Sequence, residues 1–315
     1  MNTPETTMKA RVEAYLNHRR KMGFELKIEG QQLARFALFA DKVGHQGPLT
    51  IKLAMKWACT SRRRKPLTAA RRIEVLRPFA RYCLQVDPET EIPPRGLFGP
   101  AHRRLTPHVF TEAEIQALLT ACADLHPQGG LRGASCATIF GLIAATGLRI
   151  SEATALTRPD VDLQHGLLHI RHAKFNKSRW VPMHPSTTNA LQRYAQRRDL
   201  DPLTTTTEAF FVFDYGRRAS TPGLQYAFQL LRQRLKWRSR GGHPAPRIHD
   251  IRHSFVCHRL ERWHEQGLDI DRNILALSTY LGHAKITDTY WYVTATPELL
   301  AHAATRLEQL PGDIS

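Results

Sequence analysis

Between residues 87 and 107 the chain reads DPETEIPPRGLFGPAHRRLTP, which places five prolines and two glycines in 21 residues. Proline has no backbone N–H and a fixed φ, so neither a helix nor a central strand can run through this stretch. A chain interrupted in this way must fold as two pieces, and the stretch has the composition of an exposed linker. We therefore expect a domain over residues 1–90, a linker over 91–106 and a second domain over 107–315. Each is long enough to bury a core of its own.

The first piece reads as all-helical. Val12, Tyr15, Leu16, Leu33, Phe36, Ala37 and Phe39 recur at helical spacing, which suggests one long helix and its exit over 8–45. Residues 49–61 give a second helix, and 68–86 a third that is bent or restarted at Pro78. Charge separates the two pieces. The whole chain carries 45 Lys+Arg against 28 Asp+Glu, a formal net charge of +17, and residues 1–100 hold 19 and 9 of these. The smaller piece is thus the more densely basic, and Arg62, Arg63, Arg64, Lys65, Arg71 and Arg72 gather around one turn of it. Such a surplus calls for a polyanionic partner, with nucleic acid ahead of a membrane surface. The run can equally be a solvated loop or a phosphate-tracking patch.

The longest uncharged run, GASCATIFGLIAATGL at 133–148, is shorter than the ~20 residues that span a bilayer, and reads as a buried helix. Five cysteines with no CxxC pair argue against a disulfide framework and a cysteine zinc cluster, and a reducing cytoplasm is the expected location. Residues 111–122 open the second piece with Thr111 three before Glu114, a capping box. Residues 166–184 change period and flank KFNK with two short alternating runs, the pattern of a β-hairpin. Helical spacing returns in four segments from 188 to 282. The expected fold class is mainly α: a helical domain, then an α+β domain with a small antiparallel sheet.

The segment RIHDIRHSF at 247–255 has two readings. His249 and His253 stand four apart with Asp250 beside the first, close to the HExxH spacing of a helical zinc site. Arg247 and Arg252 oppose that reading, because cations repel a dication and no third ligand is evident. In the second reading His249 and Arg252, three apart, project from one helical face onto a phosphate. Partners for such a clamp occur elsewhere in the chain. ATGLRISEATAL places Arg149 after a glycine at a helix start, with Glu152 three residues on to orient it. HAKFNKSRWVP places Lys174 at a hairpin turn, and YLGHAKITDTYWYV supplies His283, Tyr290 and Tyr292.

In this order the motifs resemble those of the tyrosine recombinase, or phage integrase, family: TGLRxsE, a lysine in K-x-N-K-x-R, HxxRH, then LGH with a tyrosine nine residues later. Counting from His283, that tyrosine is Tyr292. The basic helical first domain also looks like the core-binding domain of that family. The resemblance implies a site-specific DNA recombinase that joins its tyrosine to a 3′ phosphate without metal, ATP or other cofactor. It implies Tyr292 as nucleophile, Arg149, Arg252 and His283 on the phosphate, His249 assisting proton movement at the tyrosine, and Lys174 protonating the departing 5′ oxygen. Lys177 is the competing lysine. It further implies double-stranded DNA as partner, a homotetramer on paired sites and accessory DNA-bending proteins; the segment 297–310 reads as a short helix with an apolar stripe of Leu299, Leu300, Ala303 and Leu307 that packs on its own domain or, as the resemblance implies, docks on a neighbouring protomer. A type IB topoisomerase shares the chemistry, and a silent DNA-binding protein is the alternative from another class.

Overall fold

The computed structural model describes residues 7–60, 65–102, 104–173, 177–204 and 206–295, without the side chains of 172, 173, 177, 294 and 295. The chain divides into two compact units, Met1–Arg104 and Leu105–Ser315.

The first unit holds four helices: α1 (Met8–Lys21), α2 (Lys27–Lys42), α3 (Ile51–Cys59) and α4 (Pro66–Leu84). Residues 8–45 therefore form two helices rather than one. Gly23 adopts φ +87°, which a residue with a Cβ rarely tolerates, and the left-handed turn ends α1. The Arg19 guanidinium packs 3.8 Å over the ring of Phe24 and covers that turn. Thr7 and Thr50 cap α1 and α3 through their side-chain oxygens. Helix α4 runs through Pro78 without a restart. The neighbouring Leu76 and Phe79 are fully buried, and their packing offsets the backbone hydrogen bond that proline cannot make. Phe36, Trp57, Phe79 and Tyr15 form a chain of edge-on ring contacts through the core.

The proline-rich stretch, expected as an exposed linker, is exposed over much of its length but is anchored to this unit at several points. The N–H of Glu91 donates to Leu49 O, and the Glu91 carboxylate accepts from the N–H of Ile51 at the start of α3. Arg77 donates to Pro93 O, Arg71 donates to Ala101 O, and Ile92, Leu97 and Phe98 lie against the core. Proline excludes helix but not burial, and the sequence pattern reports only the first.

The second unit is mainly helical around α6 (Leu131–Thr146), with α5 (Glu112–Ala121) beside it. Thr111 and Glu114 form the expected capping box at the start of α5. After the short α7 (Ile150–Ala155) comes an antiparallel sheet of β1 (Val161–Asp162), β2 (Leu167–Ala173) and β3 (Lys177–Pro182), in that order. Leu168 faces Val181 and Ile170 faces Arg179 across the hairpin, and the register shifts between Ile170 and Ala173. The two-residue β1 is too short to leave a periodic signal. Helices α8 (Pro185–Asp199), α9 (Thr221–Arg234), α10 (Ile248–Glu265), α11 (Ile270–Leu281) and α12 (Thr287–Ala295) complete the unit. Phe110, Leu118, Ile139, Phe140, Leu168, Val181, Phe211 and Ile251 lie in one buried core. A second cluster joins α10, α11 and α12 through Val256, Leu260, Leu277, Leu281 and Tyr292.

The fold is thus mainly α with a small antiparallel sheet. Among the described residues, no helix is long and apolar enough to cross a membrane. The segment 297–310 lies outside the described residues.

Candidate active site

Four segments of the second unit meet at one place. The first is the turn after α6. Gly147 adopts φ +64°, and a Cβ there would stand 2.6 Å from the Phe255 ring, so the tight turn needs glycine. It delivers Arg149 to the N-terminus of α7. Glu152, at the third position of that helix, accepts from Arg149 N at 3.0 Å and from Arg149 Nη1 at 2.7 Å. Nη2 of Arg149 donates to Gly282 O at 3.0 Å.

The second segment is α10. Its first turn is closed by Asp250, which is fully buried and accepts from Arg247 N at 2.8 Å and Arg247 Nη2 at 2.6 Å. The carboxylate that a zinc-site reading would use as a base is therefore occupied as a helix cap. One turn on, Arg252 is 1% exposed and spreads its guanidinium over three acceptors. Nη1 donates to Gly147 O at 2.5 Å, and Nη2 donates to Leu281 O at 3.0 Å and His283 Nε2 at 2.8 Å. Burial and the neighbouring Arg149 pull its pKa down to about 10, so it stays cationic at neutral pH.

The third segment is the turn between α11 and α12. Because His283 Nε2 accepts from Arg252, its proton sits on Nδ1, which donates to Thr289 Oγ1 at 2.7 Å. Burial and the charges of Arg252 and Arg149 push His283 down to about 4, which keeps the ring neutral. The fourth segment is α12. Tyr292 is 3% exposed, and its hydroxyl is hydrogen-bonded to His253 Nδ1 at 2.6 Å. Burial and adjacent His249, Arg247 and Arg252 push His253 down to about 2. His249 is exposed, stands edge-on to His253 with ring centroids 4.5 Å apart, and is likewise lowered by desolvation and by the charges of Arg252 and Arg247.

The structure thus brings together Arg149, Glu152, His249, Arg252, His283 and Tyr292. Lys174, Arg62, Arg63 and Arg64 lie outside the described residues, as does the side chain of Lys177. Lys65 is exposed at the N-cap of α4. Arg72 turns inward: it donates to Trp57 O at 2.8 Å and Thr60 Oγ1 at 3.0 Å and lies over the Trp57 ring, and so braces α3 against α4.

Three residues here were not read from sequence as part of a phosphate site. Arg179 on β3 donates both terminal nitrogens to Glu152, at 3.1 and 2.9 Å, and its Nε to Tyr280 O at 2.8 Å. Burial raises the Glu152 carboxyl, but the hydrogen bonds and charges of Arg179 and Arg149 outweigh it and bring it to about 2. His253 and Thr289 are the others. Arg179 and His253 were written in the motifs, as the last letters of K-x-N-K-x-R and HxxRH; Thr289 carried no signal.

These shifts give a pH dependence. His283 and His253 titrate lower in the folded chain than at the usual value near 6.5. As pH falls the unfolded chain takes up those protons first, so stability is full above about 6.5 and declines toward about 4 and below. The loss of Glu152's contribution follows between the usual carboxylate range and about 2. With partial solvent screening, the two histidines together should cost roughly 2–3 kcal/mol between pH 7 and 5. Urea unfolding followed by circular dichroism at both pH values tests this. His253→Phe should flatten the dependence, and a midpoint that does not move with pH would contradict the neutral pair.

The chain is similar to known proteins over most of its length. Residues 108–298 match the sequence profile of the phage integrase family. A putative integrase/recombinase, y4rB of Sinorhizobium fredii, is 36% identical over 310 residues, covering 96% of this chain and 98% of that relative. Tyrosine recombinase XerC of Chlamydia trachomatis is 32% identical over 232 residues, 74% of this chain and 68% of that protein. The fold is shared with the Tn1549 transposon integrase, at a TM-score of 0.68 and 16% identity over 96% of this chain and 99% of that one. It is shared too with the XerH site-specific recombinase, at a TM-score of 0.65 and 16% identity over 94% and 84%. The chain therefore belongs to the phage integrase family, the tyrosine recombinases, which are DNA strand transferases.

Proposed function

We propose that the protein is a site-specific recombinase that cuts and rejoins double-stranded DNA through a 3′-phosphotyrosine intermediate. The observation that carries this reading is the convergence of four separate segments at one place: Arg149, Arg252 and His283 are held together around the Leu281–His283 turn, and Tyr292 is bonded to His253, the residue next to Arg252. Two buried or half-buried guanidiniums held by backbone carbonyls are a rigid receptor for the non-bridging oxygens of a phosphodiester. Solved relatives support DNA as the partner: the Tn1549 integrase structure holds transposon right end DNA, and the XerH structure holds a difH substrate.

In this reading Tyr292 Oη attacks phosphorus, the bond to the 5′ oxygen breaks, and Lys174 protonates the departing alkoxide. The energy of the broken bond is kept in the phosphotyrosine, so rejoining needs no ATP. His283 is neutral in the free protein and accepts from Arg252; a phosphate between the two arginines adds negative charge, favours its protonated form and so lets it donate. Glu152 and Arg179 hold Arg149 in place, and His249 assists proton movement at the tyrosine from behind His253, which it faces edge-on. Strand exchange proceeds in a homotetramer on paired sites, with accessory DNA-bending proteins as further partners.

The test is to trap a denaturation-resistant protein–DNA adduct with the purified protein on a nicked suicide substrate. A protein that binds DNA yet never forms the adduct would be a silent binder. Cleavage should also persist in excess EDTA, and chelator-sensitive cleavage restored by zinc would revive a metal role for His249 and His253.

The basic first unit, with its own buried core, should bind DNA as an isolated fragment of residues 1–104. Salt should weaken the full protein steeply, with log K falling by about 0.9 per phosphate contact per log unit of salt. Equal affinity and equal salt slope in a protein lacking residues 1–104 would remove this unit from the interface.

A further inference from the structure

The histidine in contact with the tyrosine hydroxyl is not the one that the HxxR spacing picks out. His253 follows His249 by one helical turn on α10, and its Nδ1 stands 2.6 Å from Tyr292 Oη. Its ring is fixed between neighbours, 5.2 Å from the Tyr292 ring and 5.8 Å from that of Trp291. In the tautomer that carries its proton on Nε2, the neutral His253 ring accepts the phenolic hydrogen at Nδ1. That hydrogen bond points the O–H of Tyr292 at His253 and leaves the oxygen's lone pairs to face a phosphorus atom.

We propose that His253 is a catalytic residue: it orients Tyr292 Oη and takes the phenolic proton as the bond to phosphorus forms. The proposal rests on the reading of Tyr292 as nucleophile. In cleavage the Oη–P bond forms, the P–O5′ bond breaks, the phenolic proton passes to His253 Nδ1, and the 5′ oxygen receives its proton from Lys174. In rejoining the 5′ hydroxyl attacks, the Oη–P bond breaks, and His253 returns its proton to the phenolate. The groups facing His253 explain when this can happen. Arg247, His249 and Arg252 on the same helix, with His243 just before it, disfavour a cation at His253 while no anion is bound. A phosphodiester between Arg149 and Arg252 cancels part of that field. Activation of the nucleophile is therefore tied to seating of the phosphate, and the tyrosine stays a neutral phenol without DNA.

The experiment uses the full chain and a nicked suicide substrate. His253→Phe keeps an aromatic ring but no acceptor, and should bind DNA like the parent while forming the adduct about 10²-fold or more slowly, the usual worth of general-base assistance. His253→Asn, whose amide accepts a hydrogen bond but takes no proton, should show a comparable loss and serves if the Phe variant does not fold. A more acidic nucleophile needs less help, so placing 3,5-difluorotyrosine at position 292 should recover at least tenfold of either loss. The same change should give no such recovery in Arg149→Ala. Parental adduct rates in a folded His253 variant, or equal acceleration of parent and variant by the fluorinated tyrosine, would overturn the proposal. Adduct formation by Tyr292→Phe would instead overturn the reading of the nucleophile, and the proposal with it.

Discussion

Tyr292→Phe should abolish the covalent adduct on a nicked suicide substrate and leave DNA binding intact, while Tyr290→Phe should still form it. The two hydroxyls, two residues apart on α12, lie in different surroundings. Tyr292 is buried against α10 and α11, with its Oη on His253. Phenylalanine preserves that packing and loses one hydrogen bond, worth about 1 kcal/mol, so the variant should fold. The loss of activity should be complete within detection, because no other group supplies the attacking oxygen. Tyr290 is 38% exposed and donates to Asp271 at 2.9 Å. That hydrogen bond to a carboxylate raises its pKa, so its proton is harder to remove. Adduct formation by Tyr292→Phe together with its loss in Tyr290→Phe would assign the wrong tyrosine.

Lys174→Ala should slow cleavage of ordinary DNA by about 10²–10⁴, the usual worth of general-acid catalysis. An alkoxide is a strong base and leaves slowly unless protonated, whereas a thiolate leaves well unaided. A substrate with a 5′-bridging phosphorothiolate should therefore restore most of the rate lost in Lys174→Ala. It should not restore Arg149→Ala. The Arg149 guanidinium is held by Glu152 and Gly282 O, and in the proposed mechanism its charge serves the non-bridging oxygens. If the sulfur substrate rescues Lys177→Ala and leaves Lys174→Ala inactive, the acid lies three residues along the hairpin.

Much of this molecule is written in local pattern. Helices α3, α5, α6, α8, α10 and α11 follow from apolar periodicity, the capping box at Thr111 from two residue types three apart, and the hairpin from its change of period. These features depend on interactions within a few residues, which sequence spacing reports directly. The motifs around Arg149, Arg252, His283 and Tyr292 were legible for the same reason, since each is a short string at the end of one element. Where local signals failed, a neighbour in space was responsible. Residues 8–45 read as one helix because both halves share a helical period, and a left-handed Gly23 separates them. Composition showed the exposure of most of the proline-rich stretch, but not that Ile92, Leu97 and Phe98 find a core to pack on.

Tertiary structure alone decided how the site is held. Arg252 is fixed by the carbonyls of Gly147 and Leu281, 105 and 29 residues away, and Arg149 by that of Gly282, 133 residues away. Every residue has a carbonyl, so no sequence pattern could name these three. Arg179 was visible as a letter in a motif, but its hold on Glu152 appears only when β3 is laid beside α7. The choice between the two histidines of HDIRH is of the same kind. Spacing places both on one helix, and only the packing of α12 against α10 sets the tyrosine hydroxyl on His253. Residue types and their order were enough to establish the kind of chemistry; the distances that assign each proton exist only once elements far apart in the chain are packed together.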